Sequence, residues 1–208
     1  LFFFAIGLRM LRSRRETVDV VPFRDVDMAP FYDSLPFTLT GAQRRCVDEA
    51  IADMRSGRPM NRLCQGDVGS GKTMVAAACV YFCVKNGRQA ALMAPTELLA
   101  EQHYRGLAPL LEKLNIRCAL LTGSTPAKTK RSVTAQLAAG EIDFAIGTHA
   151  LISGGVAYAN LGLVVTDEQH RFGVAQRTAL AEKGEHPHTL VMSATPIPRT
   201  LALILYGD

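Results

Sequence analysis

The eight residues Gly66-Asp67-Val68-Gly69-Ser70-Gly71-Lys72-Thr73 are the strongest indication of the architecture of this chain. It fits the pattern G-x-x-x-x-G-K-[ST], and it follows an apolar run and precedes a helical pattern, as a phosphate-binding loop requires. Its glycines let several backbone N–H groups point inward around phosphates, and the following helix N-terminus adds positive potential. We therefore predict that all eight residues bind a nucleotide, with Lys72 reaching the β- and γ-phosphates and Thr73 binding Mg²⁺ through its hydroxyl.

Short apolar runs alternate with helical segments on both sides of this loop. Such alternation is typical of a parallel sheet with helices on both faces. The sequence therefore predicts an α/β P-loop domain with a mostly parallel sheet, preceded by a short helical linker. The predicted strands are Arg62 to Gln65, Ala90 to Ala94, Arg117 to Leu121, Phe144 to Gly147, Leu163 to Thr166 and Leu190 to Ser193.

Several helix ends are also predicted from their residues. Thr125 is expected to cap a helix that has Pro126 at its first position and Gly140 just past its end, and Gly87 is expected to close the helix that follows the loop. Pro109 lacks a backbone N–H, so we expect it to divide residues 97–114 into two helices.

A second motif places two carboxylates after an apolar strand, in Leu163-Val-Val-Thr-Asp167-Glu168-Gln169-His170. Open parallel sheets bind ligands at this end of their strands. We expect Asp167 to bind Mg²⁺ and Glu168 to orient and deprotonate the water that attacks the γ-phosphate, so the predicted catalytic residues are Lys72, Asp167 and Glu168. The alternative is a solvated acidic pair at a strand end.

Gln43 precedes the loop in Phe37-Thr-Leu-Thr-Gly-Ala-Gln43. Its amide carries both a donor and an acceptor, which suits the hydrogen-bonding edge of adenine. The alternative is an ordinary surface glutamine at the start of a helix.

Composition excludes some classes of protein. The chain has 208 residues, 48% of them hydrophobic, which argues against disorder, and its net charge of +4 is too mild to identify a nucleic-acid partner by itself. Five cysteines at scattered spacings match neither a disulfide framework nor a zinc site, so we expect small buried thiols of a reduced, cytoplasmic protein.

The first 36 residues differ from the rest. The apolar run at residues 1–8 is too short to span a membrane, and its arginines follow it, so it predicts neither a membrane span nor a signal peptide. Since the chain starts within this run and without Met, we expect a segment upstream. We assign residues 1–36 to a helix and linker, and residues 37–208 to the P-loop domain.

Six motifs in this order carry a family resemblance. They are Leu39 to Gln43, Gln65 to Thr73, Ala94 to His103, Gly147 to Ala150, Asp167 to Gly173 and Ser193 to Leu201. Together they resemble the superfamily 2 helicases and translocases, and within these the RecG-type DNA translocases of bacteria. The Mfd-type transcription-repair coupling factors are the nearest alternative, but such sequences carry a Glu where this chain has Gln169 and an aromatic where it has Ser70.

The resemblance implies a RecA-like first motor lobe of an ATP-dependent DNA helicase, with ATP and Mg²⁺ as cofactors and forked or branched DNA as partner, in the bacterial cytoplasm at the nucleoid. It also implies an upstream wedge domain, to which residues 1–36 belong, and a second motor lobe that supplies an arginine to the ATP site. We expect one lobe without that arginine to hydrolyse ATP very poorly.

The resemblance also implies roles for residues outside the nucleotide loop. Backbone groups of three turns would contact DNA phosphates, and a further set would couple the state of the γ-phosphate to the DNA side. Taken alone, each turn is more often structural than functional, and the alternative for Arg199 is a surface residue beside a kinked turn. The DNA set is Pro95, Thr96, Thr122, Gly123, Thr148 and His149, and the coupling set is Gln169, His170, Ser193, Thr195 and Arg199.

Two other classes of function compete. A P-loop kinase or a GTPase switch is disfavoured because the chain has no Asn-Lys pair, with which GTPases read guanine, and because Glu-Gln-His rarely follows the acidic strand of kinases. A non-enzymatic DNA-binding module with a vestigial nucleotide site is disfavoured because every catalytic position of the lobe holds a competent residue.

Overall fold

The computed structural model describes residues 20–168 and 179–194. The helices and strands alternate along the chain, as predicted. In order they are α1 (Ala29–Asp33), α2 (Gly41–Met54), β1 (Asn61–Gln65), α3 (Lys72–Lys85), β2 (Gln89–Met93), α4 (Glu97–Glu112), β3 (Cys118–Leu121), α5 (Ala127–Ala138), β4 (Phe144–Gly147), a 3₁₀ helix (His149–Ile152), β5 (Leu161–Glu168) and β6 (His188–Ser193).

The strands form one sheet in the order β1-β6-β5-β2-β4-β3, and every pair is parallel. All six predicted strands are present in the described part of the chain, and the predicted α/β class is confirmed. Parallel strands covered on both faces read as continuous apolar runs, which is why the sequence located them well. All residues of β2 and β6 are buried.

Helices cover both faces of the sheet. On one face α2, α3 and α4 pack against strand residues such as Leu92, and on the other α5 and the 3₁₀ helix pack against strand residues such as Ala91 and Met93. Successive strand residues point to opposite faces, so β2 supplies both cores. This arrangement leaves the carboxyl ends of the strands free to carry loops.

The helix α3 directly follows the glycine-rich loop, and it is buried on all sides. Nine consecutive residues, from Val75 to Cys83, are buried, so the helix lacks the polar face of a surface helix. Among the predicted buried thiols, Cys64, Cys79 and Cys83 are buried and Cys118 is half-buried. Cys46 is exposed on α2, which corrects the expectation for that residue.

The structure confirms the predicted C-terminal ends of α3 and α5, but the N-terminal cap of α5 differs from the prediction. Gly87 and Gly140 follow α3 and α5 with φ of 73° and 72°, the left-handed conformation expected after a helix end. Thr125 does not cap α5: the cap position is Pro126, and the Thr125 hydroxyl instead accepts the N–H of Thr122 at 2.9 Å. The side chain of Thr125 therefore stabilises the turn after β3 and not the start of α5.

Pro109 does not divide its helix, so that prediction is wrong. The helix α4 continues through Pro109 to Glu112. Its neighbours Leu107, Ala108 and Leu111 are buried, whereas Pro109 itself is exposed. Because proline has no N–H, the carbonyl of Arg105 loses its helical partner, and Arg105 also lies on the exposed side. Water can bond that carbonyl, and core contacts on both sides hold the helix together.

Residues 20–36 pack onto the domain. Phe31 of α1 is fully buried and Phe23 nearly so, both in the core formed with α2 and α3, and the guanidinium of Arg44 lies 3.8 Å from the centre of the Tyr32 ring. The boundary at residue 36 between linker and domain stays a prediction. None of the helices in the described ranges is long and apolar enough to cross a membrane.

The first prediction compares two glycines. A Cβ on Gly147, in β4, would overlap the carbonyl oxygen of Leu121 in β3 and lie 2.9 Å from its carbon. Because two paired backbones must move apart, we expect Gly147→Ala to lower the free energy of unfolding by about 3 kcal/mol or more. Gly106, exposed within α4, has open space around it. There Gly→Ala should stabilise by roughly 0.5–1 kcal/mol. Urea unfolding checks both, and equal effects would contradict this account.

The second prediction concerns pH. His188 is 2% exposed, its Nδ1 accepts the N–H of Met60 at 2.9 Å, and burial lowers its pKa to about 4 from 6.5. The unfolded chain thus binds this proton more readily than the folded chain. The contribution of neutral His188 to the free energy of unfolding is fully present above the pKa of the unfolded state and is lost as pH falls. We expect a loss of about 2 kcal/mol from about pH 7.5 to about pH 5. In urea unfolding, His188→Asn, which keeps an acceptor without a titrating ring, should flatten that slope; an unchanged slope would refute the assignment to His188.

Candidate functional site

The glycine-rich loop joins the end of β1 to the start of α3. Gly69 and Gly71 both have φ of 82°, a left-handed conformation in which a side chain is strained, and Gly71 caps α3. The loop is tied to the neighbouring strand by the N–H of Gly66, which donates to the carbonyl of Ser193 at 3.1 Å. The loop is open to solvent, with Val68 85% exposed.

Lys72 folds back into the loop that it follows. Its ammonium donates to the carbonyls of Gly66 and Asp67, the second at 2.8 Å, and lies 3.5 Å from the hydroxyl of Ser70. The positive charge is therefore held inside the loop by backbone carbonyls. Thr73 is the second residue of α3, in the turn whose N–H groups have no helical partner.

Gln43 lies against this loop, as its predicted role requires, but both ends of its amide have protein partners. Its Nε2 donates to the carbonyl of Ser70 at 2.8 Å, and its Oε1 accepts the N–H of Thr40 at 2.8 Å in a capping box at the start of α2. A Cβ on Gly71 would overlap this amide. The absence of a side chain at Gly71 thus permits the contact between α2 and the loop.

The acidic motif lies at the same edge of the sheet as the loop. In the strand register, Glu168 of β5 is opposite Ser193 of β6, and Ser193 is opposite Gln65 of β1, the residue before the loop. Asp167 is half-buried at the end of β5. The sheet therefore brings together two motifs that lie about 100 residues apart in the chain.

His103 is a residue of this site to which the sequence assigned no role. Its Nε2 lies 2.7 Å from the Oδ2 of Asp167, and the two side chains are only 11% and 18% exposed. His103 lies on α4 in the motif Ala94 to His103, so its place in a recognised motif was visible. Its partner, 64 residues away, could not be seen from spacing.

The three turns predicted to contact DNA follow β2, β3 and β4. Met93, Gly147 and Leu121 are aligned across the three strands, so the turns that follow them lie side by side. Thr96 caps α4 by accepting the N–H of Leu99 at 3.3 Å, and Glu97 accepts the N–H of Ser124 at 3.0 Å. This last bond joins two of the turns, and hydrogen bonds from Ser124 lower the pKa of the Glu97 carboxyl.

The side chains of these turns differ in exposure. Thr96, Gly123 and His149 are exposed and Pro95 is half-buried, whereas Thr122 and Thr148 are each 3% exposed. Thr122 bonds within its own turn, to the hydroxyls of Ser124 and Thr125. The backbone N–H groups of these two residues also have partners inside the protein: that of Thr122 donates to the Thr125 hydroxyl at 2.9 Å, and that of Thr148 donates to the carbonyl of Leu121 at 3.3 Å.

The predicted coupling residues are only partly visible. Ser193 is buried at the end of β6, beside the first residue of the loop. The other four, and the side chain of Glu168, lie outside the described part; the four residues are Gln169, His170, Thr195 and Arg199. No group of three or more acidic, histidine or cysteine side chains suited to a metal occurs within the described ranges.

Comparison with known proteins agrees with this arrangement. The family model for DEAD/DEAH box helicases matches residues 40–204. The ATP-dependent DNA helicase RecG of Streptococcus pneumoniae is 52% identical over 211 residues, covering 100% of this chain and 31% of the relative. RecG of Thermotoga maritima is 50% identical over 210 residues, which are 100% of this chain and 27% of that relative. This chain thus spans less than a third of these relatives.

Solved structures extend the comparison to the fold. A structure of RecG bound to a three-way DNA junction has a TM-score of 0.87 and 47% identity, covering 100% of this chain and 28% of that one. The UvsW helicase of bacteriophage T4 shares the fold alone. Its TM-score is 0.60 and its identity 12%, and the match covers 93% of this chain and 62% of that one. The chain belongs to the DEAD/DEAH box helicase family, and in sequence and fold it corresponds to one segment of the RecG helicases.

Proposed function

We propose that this chain is the ATP-binding motor lobe of a DNA helicase that remodels stalled replication forks and branched DNA during repair and recombination. The observation that carries the proposal is the attachment of the glycine-rich loop to the acidic strand end through β6, by the Gly66 to Ser193 bond and the strand register. The names of the RecG relatives and the junction-bound RecG structure support DNA as partner.

The nucleotide site is proposed to use ATP with Mg²⁺. Members of this family use ATP, and the hydroxyl of Thr73 and the carboxylate of Asp167 are oxygen ligands of the kind that Mg²⁺ prefers. Both lie at one edge of the sheet, which supports their fit to the metal. Bound Mg²⁺ would neutralise charge on the phosphates; Lys72 would exchange its loop carbonyls for phosphate oxygens, and Glu168 would take the proton of the attacking water.

Gln43 is proposed to bind adenine. Because both ends of its amide already bond to Thr40 and Ser70, nucleotide binding would require it to exchange or share these bonds. The base would then be sensed by the same side chain that touches the phosphate loop.

The DNA side is proposed to be the row of turns after β2, β3 and β4. The first turn of α4 has N–H groups without a helical partner, and Thr96, Gly123 and His149 are exposed beside it, so these residues would make phosphate contacts, which are independent of base sequence. Such contacts suit a motor that moves along DNA. Gln169, His170, Ser193, Thr195 and Arg199 are proposed to couple the two sides.

We propose that a wedge domain and a second motor lobe complete the protein. Residues 37–208 would be the first motor lobe and residues 1–36 the end of a wedge domain, in a bacterial cytoplasmic protein that acts at the nucleoid. A second lobe would supply the arginine that completes the ATP site. The Mfd-type motor is the alternative, and ATP turnover that depends on RNA polymerase rather than on forked DNA would favour it.

A third prediction tests the nucleotide chemistry in the full-length protein. We expect Lys72→Ala to lose nucleotide affinity, and Glu168→Gln to keep it while turnover with forked DNA falls by at least about 100-fold, because only the proton acceptor is removed. Lys85→Ala, at the other end of α3, is the control. Fluorescent-nucleotide titration and ATP hydrolysis measure the two effects. Unchanged fork remodelling by both variants would instead support a non-enzymatic binding module.

A fourth prediction concerns the 208-residue chain alone. Without an arginine from a second lobe, it should bind Mg·ATP weakly and hydrolyse it roughly 10³-fold to 10⁵-fold more slowly than the full-length protein with DNA. Single-turnover hydrolysis of labelled ATP is the measurement. Brisk DNA-stimulated turnover by this chain would rule out the need for a partner lobe.

A further inference from the structure

The contact between His103 and Asp167 joins two parts of the molecule that have separate proposed roles. Asp167 is the last but one residue of β5, at the proposed nucleotide side, whereas His103 lies on α4, the helix that starts at the proposed DNA side. The 2.7 Å contact is largely sheltered from solvent, with side-chain exposures of 11% and 18%. Hydrogen bonds with one charged partner are stronger than neutral ones, and shelter from water strengthens them further.

The direction of this hydrogen bond follows from chemistry. An ionised carboxylate only accepts hydrogen bonds, so Nε2 of His103 carries the hydrogen and donates it to Oδ2 of Asp167. The bond fixes one oxygen of the carboxylate and leaves Oδ1 for other ligands. Carboxylates that bind metals are commonly oriented by such a neighbour, and loss of the neighbour typically costs 10-fold to 100-fold in metal affinity.

The position of His103 along α4 gives the contact a second consequence. His103 is seven residues after the cap Thr96, which is about 10 Å along the helix axis. The helix is continuous between these points and contacts the core there through Ala100, so we treat it as one rigid element. A shift of its first turn is therefore transmitted to the imidazole.

We propose that His103 is a positioning residue that orients the carboxylate of Asp167 for Mg²⁺ and makes this orientation depend on the position of α4. The inference rests on the proposed function, in which Asp167 binds the metal and the first turn of α4 contacts DNA. The ring itself touches neither nucleotide nor DNA in this account. By reciprocity, DNA that shifts α4 changes the affinity for Mg²⁺, and Mg²⁺ changes the affinity for DNA by the same factor.

The test is the Mg²⁺ dependence of binding of a fluorescent ADP analogue to the full-length protein, with and without a linear DNA duplex. His103→Gln places an amide nitrogen where Nε2 lies, whereas His103→Asn is one methylene too short. We expect the Asn variant to need about tenfold more Mg²⁺ for half-maximal binding and to lose the effect of DNA on this value. The Gln variant should behave as the wild type. Gly106→Ala, one turn along α4, is the matched control.

Three further measurements separate the possible failures. Thermal unfolding without nucleotide shows whether the Asn variant is folded; if it is not, Gln is compared with His103→Ser. Asp167→Asn must itself raise the Mg²⁺ requirement, and if it does not, the proposed role of Asp167 fails. If Asp167→Asn raises it and the His103 variants do not, the positioning role alone is overturned. If DNA leaves the wild-type Mg²⁺ requirement unchanged, the dependence on α4 is overturned.

Discussion

One backbone hydrogen bond holds the site together: the N–H of Gly66, the first residue of the loop, donates to the carbonyl of Ser193 at the end of β6. Because β6 lies between β1 and β5, this bond extends the sheet by one step into the loop. The loop and the acidic strand end thereby share a rigid frame. Without β6 in that position, the two halves of the proposed nucleotide site would belong to strands that do not touch.

The same edge of the sheet is divided between two kinds of chemistry. The strands β1, β6 and β5 present the glycine-rich loop and the carboxylates, and β2, β4 and β3 present turns with the exposed residues Thr96, Gly123 and His149. The helix α4 begins in the second region and contacts the first through His103. The proposed motor function needs such an element, because it contacts both regions and a change at one can then affect the other.

Much of this could be predicted from the sequence, and the failures have physical causes. The strands were visible because strands buried on both faces are continuous apolar runs, and the loop because its spacing is demanding. The prediction that Pro109 divides α4 was wrong because it rested on the low helix propensity of one residue. The buried neighbours of Pro109 stabilise the helix by more than that residue costs. The bond of Thr125 to its own turn and the contact of His103 depend on three-dimensional neighbours, about which one sequence is silent.

The burial of α3 on all sides has a consequence for local stability. A helix enclosed along nine consecutive residues cannot tilt or slide without repacking both neighbouring helices and the sheet. Its amide hydrogens should therefore exchange with solvent only when the whole domain unfolds, and the glycine-rich loop at its start is fixed to the part of the molecule that unfolds last. By contrast, α4 buries a single stripe, so it can shift as a whole against the sheet while the glycine-rich loop keeps its shape.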